Sequence, residues 1–155
     1  MKYLIALCLL CSTQQLQAQK KSGLVAFSNP ASVRTPKGYS HAAVIDLGNS
    51  KMLIISGQIA FDINGVLVGS NDFEKQAVQV FTNLKNILEA HGGKMENIVK
   101  TGVFITDAAN IPMYREIRNK YIDQKNPPAS TAVVVKELFG PGLMIEVEAT
   151  AIIPK

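Results

Sequence analysis

Apolar positions along this chain follow two periods, and the points where the period changes mark its elements. Ala42 to Leu47 and Met52 to Ser56 are apolar and β-rich, and Gly48-Asn49-Ser50-Lys51 between them reads as a hairpin turn. A short strand is expected near Leu24 to Phe27, within an irregular lead-in over residues 19–38 that carries Pro30 and Pro36. Ile59 to Val68 holds a second turn at Asn64-Gly65. The period then becomes helical. Phe73, Ala77, Val80, Phe81, Leu84, Ile87 and Leu88 fall on one stripe, with Asn71 expected as the cap, Glu74 completing a capping box and Gly92 as the left-handed stop. Ile98 to Thr106 reads as a strand. A second helix is expected from Asn110 to about Asp123, with Pro112 in its first turn and Met113, Ile117 and Tyr121 buried. Pro127-Pro128 blocks its continuation, and Thr131 to Val135 and Leu143 to Ile153 supply the last strands.

This order predicts a single α+β domain with two helices on one face of a mixed sheet. The other face is also apolar. Val133, Val134 and Val135 are consecutive, so both sides of their strand carry apolar groups, and Ile98, Val99, Val103, Phe104 and Ile105 share the tendency. A sheet with one helical layer and two apolar faces needs cover from another chain. The pattern therefore predicts a closed homo-oligomer with the uncovered face inside, without fixing the number of subunits.

The first residues belong to a different class. Lys2 precedes an apolar run from Leu4 to Leu10, a polar stretch from Ser12 to Gln17 follows, and Leu16-Gln17-Ala18 suits signal-peptidase cleavage. Residues 1–18 are thus expected to be a signal peptide and residues 19–155 an exported, periplasmic or secreted domain starting at Gln19, with no membrane attachment after cleavage. A buried first helix and a lipid anchor on Cys11 are the alternatives. The run is too short to span a bilayer, and Leu9 and Leu10 stand where a lipoprotein signal carries a small residue. Both cysteines, Cys8 and Cys11, lie inside the signal, so the mature chain has no thiol, disulfide or thiolate metal site.

Charge and motifs narrow the chemistry. The net charge is +4, but the basic residues are scattered and Trp is absent, so no nucleic-acid surface is expected. His41 and His91 are the only histidines, without ligands at metal spacing, and His91 suits the end of a helix, facing its carbonyls. No P-loop, dinucleotide-binding glycine pattern or nucleophile elbow occurs. Four features remain: Ser56-Gly57-Gln58 at a strand end, Tyr39 ahead of the hairpin, Pro127 to Thr131 entering a strand, and Glu146 with Glu148. The two glutamates alternate with Ile145, Val147 and Ala149, so both lie on one strand face, opposite the helices. There they are either solvated, neutralised by a neighbour's Lys or Arg, or placed in an intersubunit cleft where a carboxylate can hold or activate water.

Ile54-Ile55-Ser56-Gly57-Gln58-Ile59, Ile98 to Ile105, Pro128-Ala129 and Ile145-Glu146-Val147-Glu148-Ala149, in that order and spacing, resemble the RidA/YjgF family over nearly all of the mature chain. The resemblance implies a chorismate-mutase-like α+β fold, a homotrimer with three intersubunit clefts, and a small-molecule ligand, a carboxylate in the family's reaction. That reaction is cofactor-free hydrolysis of enamines and imines to 2-keto acids and ammonia. Some members have been described as ribonucleases or translation inhibitors. By the resemblance Glu146 corresponds to the water-positioning glutamate, Tyr39 and Ser56 to cleft residues, and Gly57 to part of the same turn. Two positions depart. Where the family reads Pro-Ala-Arg-Ser, this chain has Pro128-Ala129-Ser130-Thr131, so Ser130 replaces the arginine that grips the substrate carboxylate in a two-pronged contact. An asparagine of the second helix falls on Arg115, which either supplies the missing charge from another direction or is a surface charge paired with Glu116 or Asp107. The readings are then an altered RidA-type deaminase, a non-catalytic small-ligand-binding trimer, or a ribonuclease or interaction module.

Overall fold

In the computed structural model, which describes residues 23–155, six strands and two helices follow one another as β1 (Val25–Ser28), β2 (Ala42–Asp46), β3 (Ser50–Gln58), α1 (Phe73–Ala90), β4 (Ile98–Ile105), α2 (Ile111–Arg118), β5 (Ala129–Val134) and β6 (Ile145–Pro154). The segment read as a signal, with Cys8, Cys11 and the expected start at Gln19, lies outside the described residues. The strands form one sheet in the order β1-β2-β3-β6-β4-β5. All neighbours are antiparallel except β4 and β5, which run parallel, so the sheet is mixed and the fold is α+β, as expected.

The helical stripe of α1 does what its spacing predicts. Phe73, Ala77, Val80, Phe81, Leu84, Ile87 and Leu88 are all buried against Leu53, Ile55, Val103, Ile105, Ile145, Val147 and Ile153 of the sheet. Each large apolar side chain buried there contributes about 1.5–3 kcal/mol. Gly92 adopts φ 71°, the left-handed stop, and His91 Nδ1 meets the Ile87 carbonyl oxygen at 2.7 Å.

Three expectations at helix ends and faces are corrected. The cap of α1 is Asp72, whose carboxylate accepts the Lys75 N–H at 3.1 Å, whereas Asn71 takes φ 61° to complete the preceding turn. Helix α2 stops at Arg118 rather than near Asp123. Its last turn tightens, with the N–H groups of Lys120 and Tyr121 donating to the carbonyls of Ile117 and Arg118. On α2 the buried residues are Tyr114 and Ile117, and Met113 is exposed. The reason is Phe81 of α1, whose ring stacks on Tyr114 at 6.3 Å and on Tyr121 at 5.1 Å between centroids, which turns Tyr114 inward and Met113 out. The region Ile59 to Val68 forms no strand, only an isolated bridge between Phe61 and Leu67 around Gly65 at φ 79°.

Burial along β6 alternates from residue to residue, so Ile145, Val147, Ala149, Ala151 and Ile153 face the helices and Glu146, Glu148, Thr150 and Ile152 face the other way. Among the described residues no helix covers that second face. It carries Phe27 at 74% exposure, Ile54 at 49% and Val133 at 43%. Every residue of β5 is exposed.

Candidate functional site

The open face of the sheet gathers its polar groups at the end of β3. The register between β3 and β6 slips there, since Ile55 opposes Ala149 but Gln58 opposes Val147. This one-residue bulge breaks the strict alternation of β3. Ile55 and Gln58 are buried beneath the sheet, while Ser56 and Gly57 both come to the open face. Gly57 lies directly under the Glu146 side chain: a Cβ there would stand 1.8 Å from Glu146 Oε1 and 2.7 Å from its carboxyl carbon. A residue without a side chain is therefore required for the carboxyl group to lie flat on the bulge.

Ser56 and Tyr39 line one open cavity of about 660 Å³, together with Phe27, Gly38, Ser40, Ala43 and Ile54. The Ser56 hydroxyl donates to the Ser40 carbonyl at 2.7 Å, which leaves its lone pairs for an incoming donor. The Tyr39 hydroxyl accepts a hydrogen bond from Arg34 Nη2 at 2.8 Å. Beneath this segment His41 is 2% exposed and acts as a tie. Its Nε2 lies 2.7 Å from the Arg34 carbonyl oxygen and its Nδ1 lies 3.3 Å from the Gln58 amide nitrogen. Because the first partner only accepts and the second only donates, the ring is held as the Nε2–H tautomer. Asn83 of α1 fixes the chain beyond the bulge, its amide donating to the carbonyls of Ile59 and Phe61 at 3.0 and 2.9 Å.

Burial pushes the Glu146 carboxyl above the ordinary carboxylate range, and the negative charge of Glu148 on the same face adds to the rise. Such a carboxyl exchanges a proton closer to neutral pH than a solvated one does. Among the described residues no group of three His, Cys, Asp or Glu side chains is placed to hold a metal ion.

The six residues singled out in the sequence divide into two sets. Tyr39, Ser56, Gly57 and Glu146 share the open face around the bulge. Ser130 does not join them. It pairs with Thr101 on the helical side, where the Thr101 hydroxyl donates to Ser130 Oγ at 2.9 Å. The cavity it lines with Thr101, Tyr114 and Arg118 measures about 20 Å³, room for one water molecule. Burial raises the Tyr114 phenol pKa there, opposed by the neighbouring Arg118 charge and by Ser130. Arg115 stands exposed on α2 and forms no ion pair among the described residues; neither Glu116 nor Asp107 meets it. Sequence reading missed Arg34, and it missed His41 and Gln58 as supports. Their partners lie across an irregular segment that has no period to read.

Comparison with known proteins gives this geometry a family. The model of the family Endoribonuclease L-PSP matches residues 30–153. The human 2-iminobutanoate/2-iminopropanoate deaminase is 35% identical over 114 residues, which is 74% of this chain and 79% of that protein. Among solved structures, the YjgF gene product of Escherichia coli superposes with a TM-score of 0.69 at 32% identity, covering 81% of this chain and 97% of that one. Escherichia coli TdcF with bound serine superposes with a TM-score of 0.71 at 27% identity, covering 84% and 99%. With the matched region running from the lead-in before Tyr39 to the end of β6, the chain belongs to the Endoribonuclease L-PSP family, the family of RidA and YjgF.

Proposed function

We propose that this protein is an exported, homotrimeric member of the family whose clefts take a small carboxylate-bearing metabolite, and whose hydrolysis of ordinary 2-imino acids is weak because position 130 is serine. The observation that carries the reading is the division of the site. Glu146, the group suited to handling water, lies over Gly57, and the preceding Ser56 lines the cavity with Tyr39, which supports the reading. The position that grips the carboxylate elsewhere in the family carries a neutral hydroxyl already engaged with Thr101.

In the reaction of a deaminase, water adds to the imine carbon, its proton passes to a base, and ammonia leaves as the 2-oxo acid forms. Glu146 is the residue suited to take and return that proton. Tyr39 offers its O–H to the substrate's polar end, and Ser56 offers its lone pairs to the imine N–H. Loss of a charge-assisted contact to a carboxylate costs about 1.5–3 kcal/mol, enough to reduce turnover at low substrate concentration by an order of magnitude or more.

Assembly follows from the same division. Ser130 lies on the opposite side of the sheet from Glu146, so a complete cleft needs the β5 edge of one copy set against the open face of another. The apolar open face supports such a trimer. The human relative named as a deaminase and the serine held by TdcF support the ligand class. A ribonuclease reading is disfavoured, since all four histidine ring nitrogens have structural partners: those of His91 face the Ile87 carbonyl and the Ser28 hydroxyl, those of His41 the groups named above.

The test is ammonia release from freshly generated 2-iminopropanoate by the protein from Gln19 onward, beside Ser130→Arg and the Ser130→Arg/Glu146→Gln pair. The expected result is slow release by the parent, a gain of roughly tenfold or more in Ser130→Arg, and loss of that gain in the double variant. A parent as fast as Ser130→Arg would refute the reading.

A further inference from the structure

Among the described residues the lining of the open-face cavity holds no lysine or arginine, yet a guanidinium is bonded to its Tyr39. Arg34 Nη2 donates to the Tyr39 hydroxyl at 2.8 Å, and Tyr39 lines the cavity opposite Ser56. The guanidinium carbon lies 5.0 Å from the centroid of the Phe61 ring and 5.9 Å from that of Tyr39. Two aromatic faces thus hold a planar cation without neutralising it. No Asp or Glu pairs with Arg34 among the described residues. An exposed surface arginine samples many rotamers, but this one is fixed from both ends. Its side chain rests on Phe61, whose carbonyl is bonded by Asn83, and its own carbonyl faces the buried His41 ring.

One Nη2 hydrogen serves Tyr39, and the other four N–H donors of the guanidinium have no partner among the described residues. They form the planar fork that suits a carboxylate. Ser56 lines the cavity together with Tyr39, and the Glu146 carboxyl lies over the neighbouring Gly57. A small 2-oxo or 2-imino acid carries its anion at one end, one bond from its reacting carbon.

We propose that Arg34 grips the anionic end of the ligand from a different direction than a charge at position 130 would, so that the ligand binds although its turnover stays slow. The inference rests on the carboxylate-ligand reading above and adds the residue that recognises the charge. Lysine cannot replace it, because an ammonium offers neither the flat face for Phe61 and Tyr39 nor the fork.

The experiment is titration of the assembled protein with 2-oxobutanoate and, separately, its uncharged primary amide, by calorimetry, for the parent, Arg34→Ala, Arg34→Lys, Arg115→Ala and Arg118→Ala. The parent is expected to bind the acid and not the amide. Affinity is expected to fall roughly ten- to a hundredfold in Arg34→Ala, to be recovered only slightly in Arg34→Lys, and to stay unchanged in the two α2 variants. Full affinity in Arg34→Ala would overturn the inference while leaving the carboxylate reading intact, and loss in Arg115→Ala or Arg118→Ala instead would move the charge to α2. A parent that binds neither compound would overturn both. Unchanged thermal midpoints and trimer mass in Arg34→Lys separate lost recognition from lost folding.

Discussion

A methyl group at Gly57 would land on the Glu146 carboxyl, 1.8 Å from Oε1, yet the backbone there does not take a positive φ. Gly57→Ala is therefore expected to fold with a nearly unchanged thermal midpoint while Glu146 is driven off the bulge. Ligand affinity or ammonia release should drop at least about tenfold. A fully active Gly57→Ala protein would show that Glu146 need not lie on the bulge. The raised pKa of Glu146 makes a second prediction, with a definite sign. The folded state holds this proton more tightly than the unfolded chain, whose value is near 4.5. Stability is therefore undiminished below 4.5 and falls as pH rises through the window up to the raised folded value. Glu146→Gln removes the penalty. The variant should resist urea better than the parent at about pH 7 and match it at about pH 3. Glu148→Gln should lower the Glu146 pKa, and so move the acid limb of any activity profile to lower pH. Much of this residue-scale picture was legible in the sequence: alternation along β6 put both glutamates on one face, and the Ser56-Gly57 turn stood out. That Gly57 lies under Glu146 was not legible, because the contact joins residues on different strands through a bulge.

Among the elements, α1 is the post to which the site is moored. Gln76 is fully buried on its inner side, and its amide nitrogen donates to the carbonyls of Gly69 and Gly142 at 3.1 and 2.7 Å while its Oε1 accepts the Met144 N–H at 2.9 Å. These bonds clamp the entry to β6 and so set the register of Glu146. Gln76→Ala leaves buried backbone groups without partners and should lower unfolding free energy by about 2–4 kcal/mol in urea titration. A change to alanine at Lys85, an exposed position of the same helix, should cost little. The cap of α1 is a milder case. Asp72→Ala should cost about 1 kcal/mol, whereas Asn71→Gly should be neutral, because Asn71 serves the turn at φ 61° and not the cap. Either residue suits a cap by type. The choice was made by the Asp72 N–H donating to the Gly69 carbonyl at 2.9 Å, which closes the turn one residue later than the motif suggested. The inner face of α2 was misread for a similar reason. An eight-residue helix holds too few apolar positions to fix its own phase, and the Phe81 ring of α1 set it.

The whole molecule presents an apolar sheet face that no described element covers. Phe27 and Ile54 flank Ala43 there across neighbouring strands, and Val133 adds to the far edge. A patch of this kind marks an interaction surface. Ile54→Lys is expected to convert the proposed trimer to monomer, read by light scattering, and to abolish ligand binding if each cleft is built from two copies as proposed. A monomeric parent would contradict the assembly proposed here, and a trimeric Ile54→Lys would place the contact elsewhere.

The sequence by itself determined the elements, the helical stripe of α1, the two-sided apolar character of the sheet and the departure at Ser130. These are written in local periodicity and residue type, which a single chain carries without knowing its fold. Tertiary structure decided that Glu146 rests on Gly57, that Ser130 faces Thr101 away from the other site residues, that His41 is a buried tie, and that Arg34 stands behind Tyr39. Each of these joins residues distant along the chain or separated by irregular backbone, where no period links them and only packing brings them into contact.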